Sequence, residues 1–457
     1  MKKMKKFLSL ALTGALSAAM LAGCGGSSGT EGTSTSSNGG NSSSDEVVTL
    51  RMWGGLPPEN GPQKMCENFN ELYKDKGIQV EYERFVNDQT GNLKLETNLI
   101  SGDSIDIFIT YDANVLSKRA TSNMALDLTD LIARDSFDVE GIFGSIGNAY
   151  NVDGKTYALP TVQDRNRLVI NKTMFDEAGI EIPTEWTFEE FREIAKKLTH
   201  GEGQDKVYGM FWNTQQSISQ AIGQLTCQTL GGDWSYKEGN DKESNFTDPS
   251  VIAAVELLDN MMNVDGSSPT HVDSTTQKLS QESMFLAGKS AMTFGSWIFR
   301  NVKNTEEYPH DFVTAFAPHP VYKEGERNYT QGNGGDFISI NSKSEHIDEA
   351  WEFVKWYATE GMLPLVEGGR IPTATTYDTE EVSAAFMKGG EELFDAESTN
   401  RAFFEQSDLP FSTPKLNNKI GEITKVLQEE VEQAITHKIS ASEAMENAKT
   451  RSDEILK

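Results

Sequence analysis

The chain has 457 residues, of which 37% are apolar, and its 41 Lys and Arg against 69 Asp and Glu give a formal net charge of −28. This length allows two or three ordinary domains with sizeable cores. So acidic a composition argues against nucleic acid as a partner and against a polybasic attachment to anionic lipid. It leaves the ligand open, because net charge mainly keeps a protein soluble.

The first 24 residues have the pattern of an export signal. Four lysines among the first six residues precede an apolar run at 7–21, which is too short for a permanent membrane span. Residues 21–24, Leu-Ala-Gly-Cys, resemble the lipobox of bacterial lipoproteins, in which the cysteine is lipidated. We therefore predict a signal peptide at 1–23 and a lipid anchor at Cys24, on the extracytoplasmic face of the cell membrane. An ordinary secretory signal with a chance cysteine is the alternative.

A linker follows the predicted lipidated cysteine, so that residues 24–45 form one segment. From residue 25 it is rich in Gly and Ser and contains no large apolar side chain, so it cannot form a core. A flexible coil of this length reaches roughly 25 Å, taking about 5–6 Å times the square root of its length. We expect it to hold a folded body, beginning near Glu46, away from the membrane. A linker of this kind favours a Gram-positive origin.

The first part of the folded body predicts strands that alternate with helices. Strand patterns at 47–52, 78–82 and 105–110 are separated by helical patterns, one from Met65 to a stop at Gly77 and one ending at 95–101. This β-α-β-α-β order predicts a mostly parallel sheet with helices on both faces.

A second run of elements begins after Pro160. Thr187 and Glu190 have the spacing of a capping box at the start of a helix. The remaining patterns predict strands at 168–170 and 291–294, and helices after Asn171 and at 251–262, 281–287, 350–358 and 416–456. The chain is therefore predicted to be a large α/β protein with two lobes.

Four motifs, in their order along the chain, resemble extracellular solute-binding proteins of family 1, the ABC-transporter sugar binders related to maltose-binding protein. The run F-L-A-G-K-S-A-M-T-F-G-S-W at 285–297 is similar to that family's F-x-x-G-K-x-A-M-x-x-x-G-x-W segment. Residues 168–187 are similar to its strand, N-K, helix and P-x-T-W segment, residues 342–356 to its helix after the second lobe crossover, and residues 368–372 to its G-x-(I/L)-P turn.

The resemblance implies the two-lobed periplasmic-binding-protein-like (type II) α/β fold, with the ligand in a cleft between lobes joined by hinge segments. It assigns 46–160 and 318–360 to lobe 1, and 161–317 and 361–457 to lobe 2. The crossings would fall near Pro160, Pro318 and Gly361. Cys66 and Cys227 would lie in different lobes, so we expect two buried thiols; a single disulfide is the alternative.

Four tryptophans are candidates for stacking on the apolar face of a sugar. Trp351 and Trp356 lie in an amphipathic helix and Trp186 precedes a helix cap, so we expect all three to pack in cores. The candidates lie among glycines and polar residues, and the position of the last matches the family's stacking tryptophan: Trp53, Trp212, Trp234 and Trp297.

The candidate polar ligand-binding residues come mainly from strand ends, where open α/β sheets bind ligands. An Asp beside an Arg at one crossing would suit paired hydrogen bonds to neighbouring hydroxyl groups. For each candidate, an ordinary salt bridge or a solvated loop is a serious alternative. The candidates are Glu83, Asp112, Asp164, Arg165, Asp336 and Arg370.

Catalytic and metal motifs are absent from the sequence. The six histidines are scattered without metal-ligand spacing, and there is no P-loop and no G-x-S-x-G motif. We therefore expect no cofactor, no metal and no catalytic residue. The resemblance implies a monomeric carbohydrate receptor that delivers a mono- or oligosaccharide to the membrane subunits of an ABC permease. A secreted glycan-acting hydrolase and a surface glycan-binding protein without a transport role are the alternatives.

Overall fold

The computed structural model describes residues 47–102, 105–213, 218–295, 298–405, 409–414, 416 and 419–457. The predicted signal peptide, Cys24, the linker and Trp297 lie outside these residues. Ten strands form within the described part of the chain: β1 Val48–Gly54, β2 Ile78–Arg84, β3 Ile107–Thr110, β4 Leu159–Asp164, β5 Leu168–Asn171, β6 Tyr236–Lys237, β7 Asn240–Ser244, β8 Met292–Phe294, β9 Thr314–Ala317 and β10 Asn333–Ile340.

Five of these strands form one sheet, in the order β2-β1-β3-β10-β4. β1 pairs in parallel with both β2 and β3, whereas β10 runs antiparallel to β3 and to β4. Four strands therefore run in one direction and β10 runs against them. This arrangement confirms the mostly parallel sheet that the β-α-β-α-β pattern predicted for the first part of the chain.

A second sheet has three strands in the order β8-β5-β9, and both of its pairings are antiparallel. β5 is buried along its whole length, as expected for a central strand covered on both faces. Leu168 and Ile170 point into one hydrophobic core and Val169 into another, because successive side chains of a strand alternate between faces. β6 and β7 form a separate hairpin.

The helices lie on both sheets. Among the described residues, no helix combines the length and the apolar character needed to cross a membrane. The helices are α1 Pro62–Tyr73, α2 Gln89–Ser101, α3 Ala113–Thr121, α4 Thr129–Asp135, α5 Val139–Phe143, α6 Lys172–Glu177, α7 Phe188–Leu198, α8 Ile218–Leu230, α9 Pro249–Asp259, α10 His271–Thr276, α11 Phe299–Lys303, α12 Ile347–Thr359, α13 Leu363–Val366, α14 Thr379–Met387, α15 Ala396–Phe403, α16 Ile420–Ile435 and α17 Ala441–Leu456.

The local signals for helix ends agree with the structure. Thr187 caps α7, and its backbone N donates to Glu190 Oε2 at 2.7 Å, which completes the predicted capping box. Three predicted helical segments differ in part from the structure. The one at 251–262 is α-helical through Asp259 and continues as a π-helical turn at Asn260–Val264. The segment at 281–287 forms a π-helical turn at Glu282–Leu286, and the pattern at 416–456 is divided into α16 and α17. His437 lies between these two helices with φ of 58°, which stops the first of them.

Three predictions about side chains in the cores are confirmed. Trp351 and Trp356 are buried against the five-stranded sheet, and Trp186 is buried beside the three-stranded one. Cys66 and Cys227 are free and buried, in separate parts of the fold. Burial raises the pKa of the Cys66 thiol to about 12 and that of the Cys227 thiol to about 11, so both are protonated at neutral pH.

The chain passes from the first sheet to the second between Asp164 and Leu168, and it returns between Ala317 and Asn333. A third connection follows α12 and α13, where Pro372 forms an isolated bridge with Val162 on β4. These connections bring loops from both sheets together around one region. The predicted lobe boundaries remain a prediction, because the crossings are segments several residues long.

Candidate ligand-binding site

A cavity of about 370 Å³, here called the central cavity, lies where the connections between the two sheets meet. Its wall includes the end of β4, the first residues of β10, the start of α11 and the turn at residues 368–371. Four of the predicted polar residues line it together with one residue that the sequence analysis did not single out. These residues are Asp164, Arg165, Asp336, Arg370 and Tyr111.

Asp336 and Arg370 form the best-buried ion pair of the cavity. Arg370 Nε lies 2.8 Å from Asp336 Oδ2, and Asp336 keeps only 7% of its exposure. Burial raises the pKa of the Asp336 carboxyl, and the Arg370 guanidinium opposes this rise. The neighbouring Asp336 carboxylate in turn raises the pKa of Arg370, against the effect of its burial. The pair therefore offers acceptor and donor atoms at one fixed place.

The backbone at the start of β10 has little freedom to change. Asp336 has φ of 44°, a left-handed conformation that Asp and Asn tolerate better than most residues. Its carbonyl oxygen accepts a hydrogen bond from Thr161 Oγ1 at 2.6 Å. At Gly334, a Cβ atom would come within 2.7 Å of the Tyr150 ring, whose hydroxyl accepts from Gly334 N at 2.8 Å. The glycines of this loop thus allow a close approach to Tyr150.

Asp164 and Arg165 extend the polar wall from the end of β4. Solvent reaches Asp164 through the cavity, but the protein around it raises the pKa of its carboxyl, an effect that Arg370 opposes and Asp336 reinforces. Arg165 Nε donates to Gln163 Oε1 at 2.7 Å, and its guanidinium lies 5.4 Å from the centre of the Phe411 ring. Burial lowers the pKa of Arg165 to about 10.

Tyr111 is one of the cavity residues that the sequence did not single out. It follows β3 directly, and its hydroxyl accepts a hydrogen bond from Gly55 N at 2.6 Å. A Cβ atom at residue 55 would lie 2.9 Å from the Tyr111 ring, so the glycine allows the ring to sit there. The strand-end rule that selected Asp112 applies equally to Tyr111, and it is the signal that was available.

Two tryptophans predicted to face the cleft lie instead in the cores, which corrects that expectation. Trp212 is 1% exposed, and its ring makes edge contacts with Phe191 and Phe294 at centroid distances of 6.0 and 4.5 Å. Trp53 is 6% exposed and belongs to a core cluster beside α2, with Lys94 Nζ 4.8 Å from the ring centre. Neither tryptophan lines the central cavity. For Trp53 the reason is that β1 continues through residue 54 and keeps this side chain inside the sheet.

Three further candidates lie away from the central cavity. Glu83, on the edge strand β2, is exposed and lies 3.8 Å from Lys94 Nζ. Asp112 caps α3 by accepting hydrogen bonds from the backbone N of Asn114 and Val115, both at 2.9 Å. Trp234 is half-buried and its ring lies 6.1 Å from that of Phe246. For Glu83 the structure supports the salt-bridge alternative, and Asp112 acts as a helix cap, a role that was not predicted for it.

The arrangement suits binding of a polar ligand through hydrogen bonds. Carboxylates accept and guanidinium groups donate, often in pairs, so neighbouring hydroxyl groups find both kinds of partner. Phe299 lines the same cavity and supplies an apolar surface. Within the described ranges, no group of three or more His, Cys, Asp or Glu side chains is placed to hold a metal ion.

Comparison with known proteins identifies the family of this chain. Residues 57–363 match the sequence model of the family described as bacterial extracellular solute-binding protein. The diacetylchitobiose binding protein DasA of Streptomyces coelicolor is 25% identical over 389 residues, which cover 84% of this chain and 85% of the relative.

Solved structures of low sequence identity share the fold. A sugar transporter from Rhizobium etli in an open conformation matches with a TM-score of 0.69 at 21% identity, over 89% of this chain and 99% of that one. An ABC substrate-binding protein from Listeria monocytogenes in complex with cycloalternan matches with a TM-score of 0.68 at 18% identity, over 89% and 98%. The chain therefore belongs to the bacterial extracellular solute-binding protein family and has its two-lobed type II fold.

Proposed function

We propose that this protein is the carbohydrate receptor of an ABC importer. It captures a mono- or oligosaccharide in the central cavity, closes its lobes around it and delivers it to the permease. The single observation that carries this proposal is the meeting of two carboxylates, three guanidinium groups and Tyr111 in one cavity between the sheets. The family membership supports it, as do relatives whose names refer to diacetylchitobiose and cycloalternan.

The proposal includes an extracytoplasmic location and a lipid anchor at Cys24, and it treats the protein as a monomer without catalytic activity. Trp297 remains our proposed stacking residue, on the strength of its position in the family motif. Metabolic labelling with palmitate tests the anchor: the wild-type chain takes up label and Cys24→Ala does not. Equal labelling of both would show that the cysteine is not the acceptor.

Calorimetric titration and thermal shift with a panel of mono- and oligosaccharides test the binding function. A ligand specific for the folded state raises the melting temperature in a concentration-dependent way. We expect at least one carbohydrate to do so, and X-ray scattering to detect a smaller radius of gyration when it binds. A panel in which only peptides, polyamines or metal ions stabilise the protein would refute the proposal.

A matched pair of variants links the binding to the central cavity. Asp164→Asn removes a carboxylate from its wall and is expected to weaken carbohydrate binding about tenfold or more. Asp112→Asn makes the same change after another strand of the same sheet, β3, and outside this cavity, and Asn is an equally good helix cap, so affinity should not change. Equal effects of the two changes would show that the ligand binds elsewhere.

Hydrolysis is the alternative from another functional class. Incubating the carbohydrate ligand with the protein and analysing it by chromatography distinguishes a receptor from a hydrolase. A receptor returns the carbohydrate intact, whereas cleavage that Asp164→Asn or Asp336→Asn abolishes would assign the carboxylates to catalysis. The third possibility, a surface glycan-binding protein, predicts that deleting the gene leaves carbohydrate uptake unchanged.

A further inference from the structure

A second cavity of about 240 Å³, here called the arginine cavity, lies beside the central cavity and shares Arg165 with it. Residues from two connections between the sheets meet there, since Arg167 precedes β5 and Arg327 precedes β10. Among the described residues, four arginines line the cavity, against two acidic residues, Glu185 and Glu405. The arginines are Arg165, Arg167, Arg327 and Arg401.

Arg167 is a buried cation whose hydrogen-bond partners among the described residues are all uncharged. It is 6% exposed, and it donates to the carbonyl oxygens of Asn166 and Ala402 at 2.9 Å and of Gln331 at 3.0 Å. Within the described part of the chain, no carboxylate lies within 4.0 Å of it. Burial, reinforced by the positive charges of Arg165 and Arg327, lowers the pKa of Arg167 to about 9. A buried charge in this state is costly unless something compensates it.

Arg327 is also incompletely satisfied. Its guanidinium donates to Gln228 Oε1 and, at 3.3 Å, to the His319 carbonyl oxygen. Its Nε is buried and has no hydrogen-bond partner among the described residues, and its ion pair with the half-exposed Glu185 is long, at 3.8 Å. Arg401, in contrast, has a carboxylate neighbour in its own helix, Glu397 at 3.4 Å.

A purely structural role accounts poorly for these side chains. Carbonyl oxygens would be satisfied by neutral amide donors without the cost of burying a positive charge. Guanidinium groups, however, match carboxylate, sulfate and phosphate groups with two parallel hydrogen bonds. The chain has a net charge of −28, yet the described lining of this cavity is locally positive. Such a lining favours the binding of an anion.

We propose that the arginine cavity binds an anionic group of the carbohydrate ligand, a carboxylate, sulfate or phosphate, while the sugar ring to which it is attached occupies the central cavity. Arg165, which lines both cavities, contacts the junction between the two parts of the ligand. Arg167 and Arg327 hold the anion between two of the connections that link the sheets. This inference rests on the proposed function and specifies its ligand class as acidic carbohydrates.

Calorimetry on the full-length chain in detergent tests the inference with matched ligands. Each neutral disaccharide of the panel is compared with its uronic acid, sulfated and phosphorylated forms, and inorganic sulfate and phosphate are titrated alone. We expect one acidic form to bind at least tenfold more tightly than its neutral counterpart. The acidic form whose affinity exceeds that of its neutral counterpart by the largest factor identifies the anionic group.

Arg167→Gln keeps hydrogen-bond donors for the carbonyl oxygens and removes the charge. We expect it to abolish the preference for the acidic form and to leave the affinity for the neutral form within about twofold. Arg401→Gln, which removes a charge that already has a carboxylate neighbour, should reduce the preference less. If Arg167→Gln does not fold, Arg327→Gln is used for the same comparison. The ratio of the affinities for the acidic and neutral forms is in any case measured on the wild-type chain.

The failures can be told apart. If neutral carbohydrates bind as tightly as all their acidic forms, this inference is overturned and the carbohydrate receptor stands. If inorganic sulfate or phosphate alone binds as tightly as the acidic carbohydrates, the cavity is a site for free anions and the inference is also overturned. If no carbohydrate of either kind binds, the proposed function itself fails.

Discussion

The ion pair between Asp336 and Arg370 allows the most quantitative prediction. At their separation of 2.8 Å, two unit charges in a medium with an effective dielectric constant of about 20 attract by about 6 kcal/mol, most of which desolvation offsets. Removing one partner of a buried pair typically costs 3–5 kcal/mol. Because the Arg370 side chain keeps 29% of its exposure, we expect Arg370→Met to lower the free energy of unfolding by about 3 kcal/mol at pH 8.

The loss should depend on pH in a defined direction. Burial raises the pKa of folded Asp336 above its ordinary value of 3.8. In the interval between these two pKa values the folded state binds more protons than the unfolded state, so stability falls as the pH rises through it. Without Arg370 this pKa rises further and the interval extends to higher pH. The difference in stability between wild type and variant should therefore be largest at pH 8 and should shrink as the pH is lowered towards 5.

Urea unfolding followed by tryptophan fluorescence measures these differences at each pH. Arg300→Met is the matched control, since Arg300 lines the same cavity but is exposed, and its loss should change stability by no more than about 0.5 kcal/mol. The double variant with Asp336→Asn, a residue that tolerates the left-handed backbone, should recover part of the loss. A loss that is independent of pH and not recovered by Asp336→Asn would refute the electrostatic reasoning.

Three other predictions follow from the same structure. Carbohydrate affinity measured by calorimetry should weaken on acidification, starting at a pH above the ordinary carboxyl pKa of 3.8. The reason is that the pKa values of Asp164 and Asp336 are raised, and a protonated carboxyl accepts hydrogen bonds less well. Constant affinity down to pH 4 would contradict this prediction. Trp212→Ala removes a large side chain from the core and should lower the free energy of unfolding by about 3–5 kcal/mol, while the carbohydrate affinity of the folded fraction stays unchanged. A selective loss of affinity would show that Trp212 contributes to the binding site. Cys66 and Cys227 should resist a thiol reagent in the native protein and react after denaturation, whereas a native chain with rapidly reacting thiols would contradict their burial.

The elements that could be predicted from the sequence are those with local causes. A capping box depends on two residues three apart, and the structure contains the one predicted at Thr187 and Glu190. The strand–helix order of the first part of the chain likewise depends on periodicity within short windows, and it predicted a mostly parallel sheet. The antiparallel position of β10 had no such signal, because that strand joins the sheet from a point more than 160 residues beyond its neighbour β4.

The tryptophans show why local context is a weak guide to the site. Trp212 lies among polar residues in the chain, yet its ring packs between Phe191 and Phe294, which come from distant segments. Trp53 is followed by two glycines, yet the strand continues through the first of them. Polar neighbours in sequence therefore do not place a large side chain at the surface. The predicted crossing near Pro160 was a better guide, because Asp164, which follows it, lines the cavity, whereas Glu83 and Asp112, chosen at strand ends, lie away from it.

The charge of the whole chain and the charge of the site are separate properties. A net charge of −28 argues against nucleic acid, but the Debye length is only about 8 Å at physiological ionic strength, so exposed acidic residues farther away are largely screened from a ligand in the cavities. Inside, the local arginines dominate, and Arg167 and Arg327 are brought together from positions 160 residues apart along the chain. Composition can exclude a class of partner that covers a large surface; only the fold determines the charge that a small ligand meets.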